Sequence, residues 1–135
     1  MNYKIEQKLD KWSFKVEQEN LITWSSVLND PNPIHLDNKT VKKLGLGDKC
    51  INQGPANIAY ILNCISFNFK EYQLIEVKNK INGNVFSGDR IVVEGKISDI
   101  ENGENFLIIS LLLVLNTQSQ SSVLLTEAKI RIPNH

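Results

Sequence analysis

Gly54-Pro55-Ala56-Asn57-Ile58-Ala59-Tyr60-Ile61-Leu62-Asn63-Cys64-Ile65-Ser66-Phe67 begins as a helix begins and carries apolar side chains around most of its circumference. Proline is tolerated at the first helical position, where its missing N–H costs nothing. A helix that is apolar nearly all round is a buried one. This run is therefore expected at the centre of the protein, and the rest of the chain has to supply the layer that covers it.

That layer is legible downstream, where the apolar period changes from helical to alternating. Val77, Ile81 and Val85 predict one strand, Ile91, Val93 and Ile97 another, and Leu124, Thr126, Ala128, Ile130 and Ile132 a last one. Between them Phe106 to Leu115 is too short to cross a bilayer as a helix and reads as a central strand covered on both faces. Ser87-Gly88-Asp89-Arg90 and Asn102-Gly103 supply turns of the kind hairpins use. Upstream, Trp12, Phe14 and Val16 alternate as a half-buried strand does, and Leu21, Trp24, Val27 and Leu28 recur at helical spacing. Asp37 or Asn38 is placed to cap a short helix through Val41 and Leu44, with Gly45 ending it in a left-handed turn. The expected architecture is α+β: an antiparallel sheet wrapped around one long central helix, in a single domain spanning residues 1–135. There is no internal repeat, low-complexity tract or linker.

Bulk properties narrow the function. The chain has 135 residues, 41% of them apolar, which suits one globular domain with a core of its own. Fifteen basic and fifteen acidic residues cancel, so composition gives no support for a broad attraction to nucleic acid or to an anionic membrane. The first residues are polar and charged, not an apolar secretory segment, and a reduced, cytoplasmic setting is expected for Cys50 and Cys64. Neither cysteine belongs to a metal-ligand spacing, and both are read as buried small hydrophobes. His135 is the only histidine besides His35, so no bound metal is expected.

Chemistry concentrates in Asn29-Asp30-Pro31-Asn32-Pro33-Ile34-His35-Leu36-Asp37. Each proline fixes its own φ and pushes the residue before it out of the helical region, so Asp30 and Asn32 lie in a stiff, extended segment. Asp30 and His35 form a candidate acid/base pair. A carboxylate is ionised at neutral pH and an imidazole crosses between states near it, so the two can divide the roles of base and acid. Asp before proline is often only a turn former, and Asn32 between two prolines more often ties down its own loop than contacts a substrate.

This segment resembles the D-x-N-P-[LIV]-H-x-D signature of the MaoC-like R-specific enoyl-CoA hydratases and 3-hydroxyacyl dehydratases, with every constrained position matched by Asp30 to Asp37. Gly54 opening the central helix, Ser87-Gly88-Asp89 before Val93-Glu94-Gly95, and Thr126-Glu127-Ala128 follow in the family's order, so the resemblance covers most of the chain. It implies the hot dog fold. It also implies that Asp30 and His35 hold one water and add it across, or remove it from, an α,β-unsaturated thioester on coenzyme A or acyl carrier protein. Gly54 would be the oxyanion donor, Asn32 a candidate substrate contact, no cofactor would be needed, and at least a homodimer would form with sheets joined edge to edge. The first N–H groups of a helix are unsatisfied and favour the negative charge of a forming enolate, which agrees on physical grounds.

Two positions depart from the pattern: Asn29 stands where the family usually has glycine, and Gln53 where a histidine commonly precedes the oxyanion glycine. Asn tolerates positive φ better than other non-glycine residues. The departures motivate an alternative, a non-catalytic or partner-dependent acyl-binding subunit of a heteromeric dehydratase. A thioesterase of the same fold would usually carry a carboxylate on the central helix, and residues 54–68 contain none. Lys42, Lys43 and Lys49 could meet the phosphates of coenzyme A or an acidic carrier protein, or be a solvated face.

Overall fold

A computed structural model describes residues 2–134. Strand β1 (Trp12–Lys15) leads into helix α1 (Gln18–Val27). A single 3-10 turn over Pro33–His35 follows, then the short helix α2 (Asn38–Lys43) and the long helix α3 (Gly54–Asn68). Four strands complete the chain: β2 (Gln73–Ile81), β3 (Arg90–Asn102), β4 (Phe106–Thr117) and β5 (Leu124–Pro133). All five strands join one sheet in the order β1-β3-β4-β5-β2, and every neighbouring pair is antiparallel.

The alternation seen in the sequence becomes the inner face of this sheet. It consists of Ile91, Val93 and Ile97 of β3, Ile109, Leu111, Leu113 and Leu115 of β4, and Leu124, Ala128, Ile130 and Ile132 of β5. The register keeps these rows together, with Val93 opposite Leu115, Ile97 opposite Leu111, and Ile109 opposite Ile130. Against them α3 sets Ala56, Tyr60, Ile61, Cys64 and Ile65, all buried. Each fully buried Ile or Leu contributes roughly 1.5–3 kcal/mol by leaving water, which makes this helix-on-sheet contact the main source of stability.

Five expectations are corrected. Helix α3 is not buried all round: Phe67 is 61% exposed and Ile58 and Leu62 are only half-buried, because the single sheet covers one side of it. Strand β4 is covered on one face only, with Leu112 on the other face 38% exposed. Val85 is fully buried but lies beyond the end of β2, in the connection to β3. The Ser87–Arg90 turn leads into β3 without making a hairpin, since β2 pairs with β5 and β3 lies between β1 and β4. Asn102-Gly103, by contrast, does join two paired strands, β3 and β4. Pro55 is the second residue of α3 and not the first as its helix-opening place suggested, because the helix already starts at Gly54, with Gln53 as its N-cap.

The two edges of the sheet differ. Beside β1, residues 6–9 run along β3, with Glu6 N–H donating to the Ile97 carbonyl at 2.8 Å and Leu9 N–H to the Gly95 carbonyl at 2.9 Å. The β2 edge has nine residues and exposes Leu74, Ile75 and Ile81.

Candidate active site

The proline-rich loop is fastened to α1 at its start. Asn29 takes a φ of +50°, the left-handed conformation that asparagine accepts more readily than other side chains. The Asp30 N–H donates to the Ser25 carbonyl at 2.9 Å, and the Ser25 hydroxyl donates to the Asp30 carbonyl. Within the loop the Asn32 N–H donates to Asp30 Oδ1 at 3.3 Å, and Asn32 Oδ1 accepts from the Ile34 N–H at 3.2 Å. The side chain of Asn32 is thus engaged by its own loop. Asp37 caps α2 by accepting from the Lys39 N–H at 3.1 Å.

The 3-10 turn brings His35 back towards Asp30. His35 Nε2 lies 3.3 Å from Asp30 Oδ2; the imidazole is 8% exposed and the carboxylate 43%. The other ring nitrogen, Nδ1, is 2.6 Å from the Ile51 carbonyl. A carbonyl only accepts, so Nδ1 carries the hydrogen and Nε2 is left as the nitrogen that exchanges protons. Nε2 without a proton and an ionised carboxylate are both acceptors. Their approach is favourable when one proton lies between them or when a donor such as water bridges them. The backbone is held too: Gln18 Nε2 donates to the His35 carbonyl at 3.0 Å, and the Ile51 N–H donates to the Ile34 carbonyl at 2.9 Å.

Ile51 also ties the pair to α3. Gly54 is three residues further, at most about 10 Å along an extended chain. The Ala56 and Asn57 N–H groups are taken by the Gln53 carbonyl, at 3.1 and 3.3 Å, and Pro55 has no N–H. That leaves Gly54 as the first-turn residue whose N–H is not tied into the helix. A Cβ built on Gly54 meets nothing within 4 Å, so the approach to this end of the helix is open.

Several participants are absent from the motif. The Ile51 carbonyl and Gln18 each act through one hydrogen bond and Ser25 through a reciprocal pair with Asp30, and none of the three leaves a pattern in the sequence. Gln53 is 1% exposed and donates through Nε2 to the Leu21 carbonyl at 2.8 Å, joining α1 to the start of α3. Beside it Asn52 Nδ2 donates to Asn57 Oδ1 and to the Tyr60 hydroxyl, at 2.9 and 3.2 Å. Burial pushes the Tyr60 phenol up, opposed by that Asn52 hydrogen bond. Burial likewise raises the Cys50 thiol and pushes Cys64 up to about 11, so both are thiols at neutral pH. Among the described residues no group of three or more His, Cys, Asp or Glu is arranged to hold a metal ion, and no helix is long and apolar enough to cross a membrane. His135 lies outside the described residues.

No family model and no curated protein matches the chain. Solved structures do. The (R)-hydratase from A. caviae involved in PHA biosynthesis superposes with a TM-score of 0.88 at 18% identity, covering 98% of this chain and 99% of that one. The chain has the hot dog fold. A MaoC-like dehydratase from Rhodospirillum rubrum shares this hot dog arrangement at a TM-score of 0.83 and 16% identity, over 98% of this chain and 94% of that one. So does the ChsH1-ChsH2 complex from Mycobacterium tuberculosis, at 0.83 and 8% identity over 96% and 98%.

Proposed function

We propose that this protein is a hydro-lyase that interconverts trans-2-enoyl and (R)-3-hydroxyacyl thioesters. The observation that carries this reading is His35 Nε2 at 3.3 Å from Asp30 Oδ2 with the opposite ring nitrogen fixed on the Ile51 carbonyl. In the hydration direction a water held between the two groups loses a proton to the pair as its oxygen attacks the β-carbon. Negative charge then moves to the thioester oxygen, where the Gly54 N–H and the positive end of α3 stabilise it. A proton returns to the α-carbon from the same side, and no cofactor takes part. Asn32 serves by holding the loop that carries both groups.

The open β2 edge is suited to a second hot dog unit, which we assign to another copy of this chain in a cytoplasmic homodimer. A different hot dog subunit on that edge is the second reading; copurification with such a chain, and no activity alone, would favour it.

The test is the product formed from trans-2-enoyl-CoA or its carrier-protein equivalent in deuterated water. The expected product is the (R)-3-hydroxyacyl thioester with one deuterium at the α-carbon, added to the same face as the hydroxyl. Release of free thiol, or the S product, would overturn the assignment.

A further inference from the structure

Residues 50–54 run between the dyad loop and the connection into β3. On one side the Ile51 N–H donates to the Ile34 carbonyl at 2.9 Å, and the Ile51 carbonyl accepts from His35 Nδ1 at 2.6 Å. On the other the Asn52 N–H donates to the Val85 carbonyl at 2.7 Å, and the Cys50 carbonyl accepts from the Ser87 N–H at 2.8 Å. These bonds hold the segment, and none of them reaches α3. Among the described residues, Asn52 is the one side chain of 50–54 that hydrogen-bonds the helix. Its Nδ2 donates to Asn57 Oδ1 at 2.9 Å and to the Tyr60 hydroxyl at 3.2 Å, in the first and second turns. Gln53 turns to α1 instead, donating to the Leu21 carbonyl. Tyr60 is itself anchored, its ring stacked on Trp12 at 5.9 Å and tilted against Phe14 at 5.4 Å.

Packing alone does not call for an amide at this place. Asn52 is 3% exposed, and its Oδ1 meets no hydrogen-bond donor among the described residues. A buried acceptor without a donor works against stability. What the amide supplies is direction: two bonds from one nitrogen fix the angle at which α3 leaves the segment.

We propose that Asn52 is a positioning residue, holding the Ile51 carbonyl and the Gly54 N–H in one fixed relation; its bearing on turnover rests on the hydratase reading above. Asn52 follows Ile51 directly and precedes Gly54 by two residues. One side chain thereby sets the proton pattern of His35 and the place of the oxyanion donor together, acting only through these backbone groups.

The experiment compares the unaltered protein with Asn52→Leu, which removes the amide at similar volume, and Tyr60→Phe, which keeps the ring stack and removes only the hydroxyl. Each is followed by urea unfolding, by nitrogen-15 NMR of the His35 ring and by hydration of trans-2-enoyl-CoA. Asn52→Leu is expected to keep its urea midpoint, to exchange the His35 Nδ1 hydrogen faster, and to lose about 10- to 100-fold in kcat with KM little changed. Tyr60→Phe is expected to move exchange and kcat the same way by less, and it carries the test if Asn52→Leu does not fold. Unchanged exchange and kcat in the folded variant would overturn the proposal, as would a loss confined to KM. The exchange measurement decides the positioning role without turnover, so an unaltered protein that hydrates no enoyl thioester would overturn the hydratase reading alone.

Discussion

His35 donates its Nδ1 hydrogen to the carbonyl of Ile51 at 2.6 Å, and this one bond sets which ring nitrogen faces Asp30. A backbone group just ahead of α3 thereby fixes the protonation pattern of a histidine 16 residues earlier in the chain. Nitrogen-15 NMR of the His35 ring is expected to show a hydrogen on Nδ1 that exchanges slowly, and an Nε2 signal that moves on Asp30→Asn. A ring protonated at Nε2 alone would contradict the arrangement.

Two glycines separate function from packing. Gly54→Ala meets nothing within 4 Å and is expected to leave the melting temperature within a few degrees while lowering kcat/KM, because the new methyl group enters the open approach to the helix end. At Gly95 a Cβ would fall 2.6 Å from the Leu112 carbonyl, so Gly95→Ala is expected to destabilise the fold by about 1–3 kcal/mol. Denaturant unfolding of both variants, beside steady-state kinetics, checks the contrast.

Asn29, at φ +50°, holds the turn into the dyad loop. Asn29→Gly is expected to be neutral or slightly stabilising, whereas Asn29→Val should cost about 1–2 kcal/mol and lower activity as Asp30 shifts. Equal stability of the two variants by urea unfolding would show that the turn carries no strain.

The raised thiol of Cys64 predicts an alkaline weakness. Its ionisation moves from 9.0 to about 11 on folding, with burial the main cause. Between these values the unfolded chain loses a proton that the folded chain keeps, so stability declines as pH rises through that window. Urea midpoints measured from pH 8 to 11 should fall, and fall less steeply in Cys64→Ala.

What the sequence disclosed was local. Asp30, Asn32, His35 and the Asp37 cap lie close together along the chain, and proline geometry constrains them before any tertiary contact forms. The sheet's inner face was readable because burial on one side imposes a period of two. The Ile51 carbonyl was not readable, since a backbone acceptor has no side-chain signature. Turn chemistry at Ser87–Arg90 marks a reversal but does not say which strands pair. Val85 keeps the parity of Val77 although β2 ends at Ile81, because the connection that follows is itself buried at that residue. The apolar outer residues of β4 and Phe67 of α3 predicted burial that one chain does not provide.

The most direct test of the central claim is the loss of conjugated-enoyl absorbance when purified protein is added to trans-2-enoyl thioesters, beside Asp30→Asn and His35→Ala. The account predicts rapid loss with the unaltered protein and a fall of about 100- to 10,000-fold in both variants with the fold retained. Undiminished turnover in either folded variant would contradict it.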